Sequence, residues 1–418
     1  MLVGLGIAVG AMISGADREE APQRVVAESP DEALGTESGE SSWTTAIVDR
    51  AWLRADVELT GEEATDRDGA AAMYSVVRGG PGWVAAGGDG RNGAVWVSED
   101  ARSWRRVVSD PSVFQGELMM RLTSVTAGGQ GFVAVGWDGF PPAGAESRAV
   151  VLTSADGLIW ERVPHNPEVF GDREPGDGVT AMQSVVSFGG GLIAVGQAPS
   201  SDGHGAAVWT SEDGFSWERI EADSRAFGGP GDQIALSVAV DDGTAVAVGV
   251  DAFLQVDHGG PGVWRSSNGE PWRRVDVREH TDTVMEHVVA YSGGFLAVGA
   301  DYADSDPTVA VWRSDDGTAW SRLNLEDEAT HGFLTRLSSS GPELVAVGED
   351  LGSDRASVWI STNGRDWTDI PGPSPGSATD PAQVFFDVEI SDDLIVIAGR
   401  DADGPAAWVL PPRPEFGS

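Results

Sequence analysis

Six aspartates recur at one place in a repeated phrase, and they are the first residues here whose type and spacing could do chemistry. The phrase is a β-rich run closed by glycine, such as "FVAVG" at 132–136 or "FLAVG" at 295–299. Two residues after its glycine stand Asp89, Asp138, Asp251, Asp301, Asp350 and Asp401, with Ala198 in the one remaining copy. Carboxylates gathered around one mouth suit a cation, with Ca²⁺ the candidate because it takes clustered carboxylate and carbonyl oxygens. A positively charged or hydroxyl-rich ligand is the other occupant such a ring fits. The plainer reading is that each Asp caps the turn leaving its strand by accepting bonds from nearby amides. Electrostatics leave both open: at about 10 Å in water a like-charge pair costs about 0.4 kcal/mol, and physiological salt screens beyond about 8 Å.

A second pattern lies in the β-rich segment before each phrase. Its central polar residue is Ser75, Ser124, Ser184 and Ser237 in the first four copies, then His287, Arg336 and Asp387 in the last three. In consecutive copies these three would stand side by side, either as a satisfied buried ion cluster or as an anchor for a ligand. Of the three tyrosines, Tyr74 and Tyr291 belong to such segments, and Tyr302 follows a repeated phrase in a loop. Tyr302 is therefore the one expected on a ligand-facing surface. Trp137, Phe140 and Phe253 lie in long loops, where they either stack on a sugar ring or pack their own loop. Cysteine is absent, six histidines lack metal-ligand spacing, and neither a phosphate-binding glycine loop nor a Gly-x-Ser-x-Gly elbow is present. Thiol chemistry is excluded, and metal hydrolysis, nucleotide binding and serine hydrolysis are unsupported.

The elements that must position these residues follow from the repeat itself. The glycine-ended phrase occurs seven times, closing at Gly87, Gly136, Gly196, Gly249, Gly299, Gly348 and Gly399, at spacings of 49 to 60 residues. Repeats of this length indicate a solenoid, propeller or array. Each unit reads as four short strands: a segment such as "MQSVV" at 182–186, the glycine-ended phrase, a third strand as in "AVW", and a fourth that opens on Trp, as in "WERI" at 217–220. Between the third and fourth strands comes "SEDGFSW" at 211–217 or "SDDGTAW" at 314–320, whose Asp-Gly pair supplies a tight turn. Twelve of the 16 Trp fall in the two registers flanking this turn, where they fill the widening space between blades. Continuous apolar runs imply strands covered on both faces. Seven four-stranded antiparallel sheets arranged radially make a seven-bladed β-propeller. The seventh unit stops after its third strand, "AAWVL" at 406–410, and the orphan "AWLRADVEL" at 51–59 reads as its missing fourth, closing the ring with Trp52. Six blades plus an accessory sheet is the alternative. In this architecture the loops after second strands and between blades share an open face, and the Asp-Gly turns lie on the other.

The motif Ser-x-Asp-Gly-x-x-Trp resembles the Asp-box, or bacterial neuraminidase repeat, of sialidase-like propellers, one residue shorter than the usual spacing. Degenerate copies are "SEDARSW" at 98–104 and "SADGLIW" at 154–160, with Asn variants at Asn268 and Asn363. The resemblance spans roughly residues 50 to 410 and implies the propeller fold. For a sialidase it would also imply an arginine triad, a Tyr nucleophile paired with Glu, an Asp acid/base and an Arg-Ile-Pro motif. No Arg-Ile-Pro occurs, and the nearest phrase, Arg162-Val163-Pro164, sits inside the second unit. The chain thus resembles a non-catalytic member, with a sialidase-like glycoside hydrolase and a purely structural surface module as the alternatives.

The formal charge is −39, from 66 acidic against 27 basic residues, every one of them Arg. So acidic a surface repels phosphate backbones and anionic headgroups, which excludes nucleic acid as a partner and leaves a membrane only through an N-terminal anchor. Residues 1–16 read as a signal peptide or anchor remnant, 17–42 as an acidic disordered stalk, 43–412 as the propeller and 413–418 as a tail. The expectation is a monomeric, extracellular or cell-surface protein that binds a carbohydrate or protein ligand on its open face, with no cofactor unless Ca²⁺ fills the acidic ring.

Overall fold

The computed structural model describes Ile47 and residues 50–58, 71–128, 131–139, 147–171, 178–200, 203–220, 224–251, 259–277, 281–303, 306–323, 325, 331–352, 355–373, 383–391 and 394–411. The signal, stalk and tail readings, and Phe140 and Phe253, lie outside the described residues. Seven sheets form the molecule; in the first six blades the four repeat strands run outward in sequence order, and the seventh takes its outermost strand from the N-terminal segment. The fifth blade is typical, with strands Thr283–Tyr291, Gly294–Asp301, Thr308–Ser314 and Ser321–Arg322. Successive first strands touch one another, so they line the central axis. The cores lie between blades: Val84, Val95, Leu122, Phe132, Leu152 and Trp160, for example, join the first blade to the second. Strands covered on both faces explain the continuous apolar runs.

The ring closes as the orphan strand suggests. Leu53 and Arg54 pair antiparallel with Val409 and Trp408 and complete the seventh blade. The chain then crosses to the first blade, where Asp56 and Val57 run parallel to Ser103 and Trp104. One short segment therefore seals two neighbouring sheets, and Trp52 packs against the core around Phe385 and Trp408. Its indole donates to the Pro371 carbonyl at 3.0 Å.

The repeated turn satisfies its own backbone. In the third blade Ser211 Oγ accepts from Gly214 N at 2.9 Å, and Asp213 Oδ1 accepts from Phe215 N at 2.8 Å and Ser216 N at 2.6 Å. The Trp217 indole donates to the Gly214 carbonyl at 2.9 Å. Gly214 has φ +78°, which is why glycine holds the place. Blades 2 and 5 repeat this arrangement, blade 6 does so with Asn363 in the place of Asp, and in blade 1 Ala101 stands at the glycine position while Ser98 Oγ accepts from Asp100 N. Blade 4 departs from it: Ser266 donates instead to the Glu270 carbonyl, and Asn268 adopts φ +51°.

Every first strand carries a bulge, at Tyr74, Thr123, Gln183, Leu236, Glu286, Thr335 and Phe386. The bulge explains the recurring glycine. A Cβ on Gly299 would collide with the Val284 carbonyl, and the other six glycines face the same backbone oxygen of their own first strands. An extra residue re-aims the strand at the axis.

Candidate functional site

A closing Trp followed two residues later by Arg begins most fourth strands, and this spacing governs the open face. Arg54, Arg106, Arg162, Arg274 and Arg322 extend along their blades to Asp401, Asp89, Asp138, Asp251 and Asp301. The pair distances are 2.6 Å for Arg54–Asp401, 2.6 Å for Arg106–Asp89 and 3.0 Å for Arg274–Asp251. Arg322 and Asp301 are in direct contact. Asp138, wholly buried, faces both Arg148 at 3.1 Å and Arg162 at 3.3 Å. The sixth blade exchanges the parts: Asp369 takes the Arg position, and Arg355 from the third strand lies 3.7 Å from Asp350 and 3.8 Å from Asp369. The third blade breaks the series, since Ala198 replaces the acid and Arg219 has no acidic partner among the described residues.

Six carboxylates do stand at corresponding places, but each is matched by a guanidinium that the sequence reading did not assign. Several also cap turns, with Oδ1 of Asp301, Asp350 and Asp401 accepting from the amides of Ala303, Gly352 and Asp403 at 2.8, 2.9 and 3.0 Å. Among the described residues no three His, Asp or Glu side chains come together as a metal site. The overlooked signal was the Trp-x-Arg spacing itself, which places a cation opposite the acid in every blade that has both.

At the axis the picture differs. Asp387 belongs to a stitching series: its Oδ2 accepts from Val76 N at 2.9 Å, as Ser75 Oγ accepts from Val125 N and Ser237 Oγ from Val288 N, both at 3.2 Å. His287 and Arg336 leave that series, and no ion pair joins His287, Arg336 and Asp387 among the described residues. Arg336 Nη1 donates to its neighbouring Thr335 carbonyl at 2.7 Å. Beside it the bulge residue Glu286, 2% exposed, leaves its Oε2 without a hydrogen-bond partner, as do His287 Nδ1 and the Nε2 of the bulge residue Gln183. Burial pushes the Glu286 carboxyl up to about 8, with the Arg336 charge opposing, and drives His287 down to about 3. Glu389, also near the axis, is raised to about 8 by burial and by the Asp387 charge, although Ser338 donates to it at 3.3 Å. Glu286 escaped sequence reasoning because the bulge upsets strict alternation.

Tyr302 does not lie on the open surface. It is 2% exposed in an apolar cluster with Leu236, Val284 and Phe333, and burial, reinforced by Glu286, holds its phenol above the ordinary range. Its backbone amide donates to the Asp282 carbonyl at 2.7 Å, which ties it, just past the strand Gly294–Asp301, to the start of its blade's first strand. Trp137, half-buried, sits within the second strand of blade 2, Gly131–Gly139.

No family model matches the chain, and no curated protein matches it. Among solved structures, YCF48 bound to D1 peptide superposes with a TM-score of 0.56 at 13% identity, over 89% of this chain and 99% of that one. The Hadza microbial sialidase Hz136 gives 0.46 at 14% identity, over 77% and 73% of the two chains. The phage phi92 endosialidase gives 0.44 at 15%, over 88% and 70%. At these identities the first likeness concerns the propeller fold alone, and the other two support no argument about this chain.

Proposed function

We propose that the protein is a non-catalytic ligand-binding propeller, secreted or tethered at the cell surface, which receives a carbohydrate or peptide at the axial mouth of its open face. The observation that carries this reading is hydrogen-bonding capacity left unused beside a charge at the axis: Glu286 Oε2 and His287 Nδ1 lack partners, and both feel the charge of Arg336 from the next blade. An unsatisfied buried polar atom costs about 1–3 kcal/mol, which a ligand or water that bonds it would recover. Wherever the outer acids stand, they are neutralised by arginines, and Tyr302 is enclosed in the core. Both facts argue against a Tyr- and carboxylate-based glycosidase mechanism. The propeller YCF48, in a structure bound to D1 peptide, is an instance of this architecture receiving a protein segment.

A panel of glycans and peptides tested by thermal shift examines the reading, because a ligand of the native state raises its apparent stability. The expected result is a ligand whose effect disappears in Arg336→Met. Ligands that stabilise the variant and the wild type alike would place binding elsewhere.

A further inference from the structure

On the opposite face, where the Asp-Gly turns lie, two neighbouring blades differ from the rest. Leu158 and Ile159 in the second blade and Phe215 in the third occupy the two positions between the turn glycine and the closing Trp. The residues matching Leu158 and Phe215 elsewhere are Arg102, Glu270, Thr318 and Arg365. Phe188, at the end of the third blade's first strand Ala181–Phe188, adds a second exposed ring in the same blade. Ile159 is 70% exposed, Phe215 45%, Phe188 38% and Leu158 36%, and these four are half of the eight large apolar side chains so exposed among the described residues. Three of them lie on two adjacent turns, and Phe188 stands at the neighbouring hairpin of the third blade.

Two clefts that share Leu192 and Asp213 as lining open beside this strip, one lined by Phe188 and the other by Ile159. One, of about 900 Å³, opens between the Phe188 hairpin and the third blade's turn, and the other, of about 400 Å³, lies between the second and third blades. Gly189 and Gly190, with φ +51° and +92°, form the hairpin tip, a backbone conformation that favours glycine, and line the first cleft. The charged residues lining both are carboxylates alone: Glu212, Asp213 and Glu218 in the larger, Asp156, Glu161 and Asp213 in the smaller. An apolar strip rimmed by polar groups marks an interaction surface.

The geometry points to this strip as the docking groove for a partner protein's segment that carries apolar side chains interspersed with Arg or Lys. The apolar residues supply the buried area and the carboxylate rim selects for positive charge. Charge decides the occupant. A second copy of the chain carries −39 overall, and residues 17–42 of the chain itself hold far more acids than arginines, so both would meet the rim with like charge. A basic segment of another protein meets it with opposite charge.

Fluorescently labelled 12-residue peptides alternating Leu or Phe with Arg test this on the full chain, beside matched peptides in which Arg becomes Glu or the apolar residues become Ser. Saturable binding of the first set alone is expected, weakened at least tenfold in Phe188→Ser/Phe215→Ser and reduced by salt. The replaced rings are exposed, so the variant's melting temperature should match wild type and loss of binding cannot be ascribed to unfolding. Equal binding of the serine peptides, or unchanged affinity in the variant, would overturn the proposal as unspecific attraction to an acidic surface. Concentration-dependent dimers in sedimentation that the same variant abolishes would overturn it in favour of a second copy.

Discussion

At the scale of single residues, the open face is governed by charges placed along a blade rather than across the mouth. Asp138 is the extreme case, wholly buried between Arg148 and Arg162. Removing Asp138 leaves Arg162 without its acid, while Arg148 keeps Glu117 at 2.9 Å, so Asp138→Ala should cost about 3 kcal/mol by denaturant titration, at the low end for buried pairs because both arginines also keep some solvent. The axial acids make a different prediction. The Glu286 and Glu389 carboxyls are raised from 4.5 to about 8, so above 4.5 the unfolded chain ionises while the folded chain still holds the protons. Stability then falls as pH rises toward 8. His287, lowered from 6.5 to about 3, has the opposite effect below 6.5, where the unfolded chain takes up its proton first. Between about pH 6.5 and 8 the two carboxyls act without it, and melting temperature should decline across that window and flatten in Glu286→Gln/Glu389→Gln. A flat profile in the wild type would refute the burial of these acids.

At the scale of elements, the glycine-ended phrase and the Asp-Gly turn were legible because each is demanded by local backbone geometry. The turn needs positive φ at Gly214, and the phrase needs room for a carbonyl at Gly299. What the sequence did not disclose was the reason for the second glycine, since the bulge at Glu286 opposite it has no composition of its own: Tyr, Thr, Gln, Leu, Glu, Thr and Phe fill the seven bulges. The Asp register was readable, but its Arg partners lie a whole strand away in sequence, and only the fold shows that Arg322 reaches Asp301. Tyr302 was misplaced for a related reason, a loop position whose side chain turns back into the core. Gly299→Ala forces a methyl against the Val284 carbonyl and should destabilise by about 1–3 kcal/mol, the usual cost of overpacking a tight site. Chemical denaturation of the purified variant measures it.

At the scale of the whole molecule, the ring is held by its N-terminal segment. Arg50 Nη1 donates to the Pro411 carbonyl at 2.8 Å, Leu53–Arg54 completes the last blade, and Asp56–Val57 adds to the first. Removing residues 1–58 exposes the edge strand Gly404–Leu410, and an open edge invites pairing with other chains. The truncated protein should melt at lower temperature and scatter light at concentrations where a chain lacking only residues 1–42 stays monomeric. Closure also fixes the axial site, because the ring brings Glu286, Arg336 and Asp387 from three consecutive blades to one centre. An axial site is unique in a ring, whereas sites built on the repeated ion pairs or turns would recur from blade to blade. The most direct measurement is calorimetric titration of the full chain and of Arg336→Met with the strongest ligand from the glycan and peptide panel whose binding is unchanged in Phe188→Ser/Phe215→Ser. The account predicts one ligand per ring and an affinity loss of at least tenfold in the variant, while several ligands per ring, or equal affinity for both proteins, would contradict it.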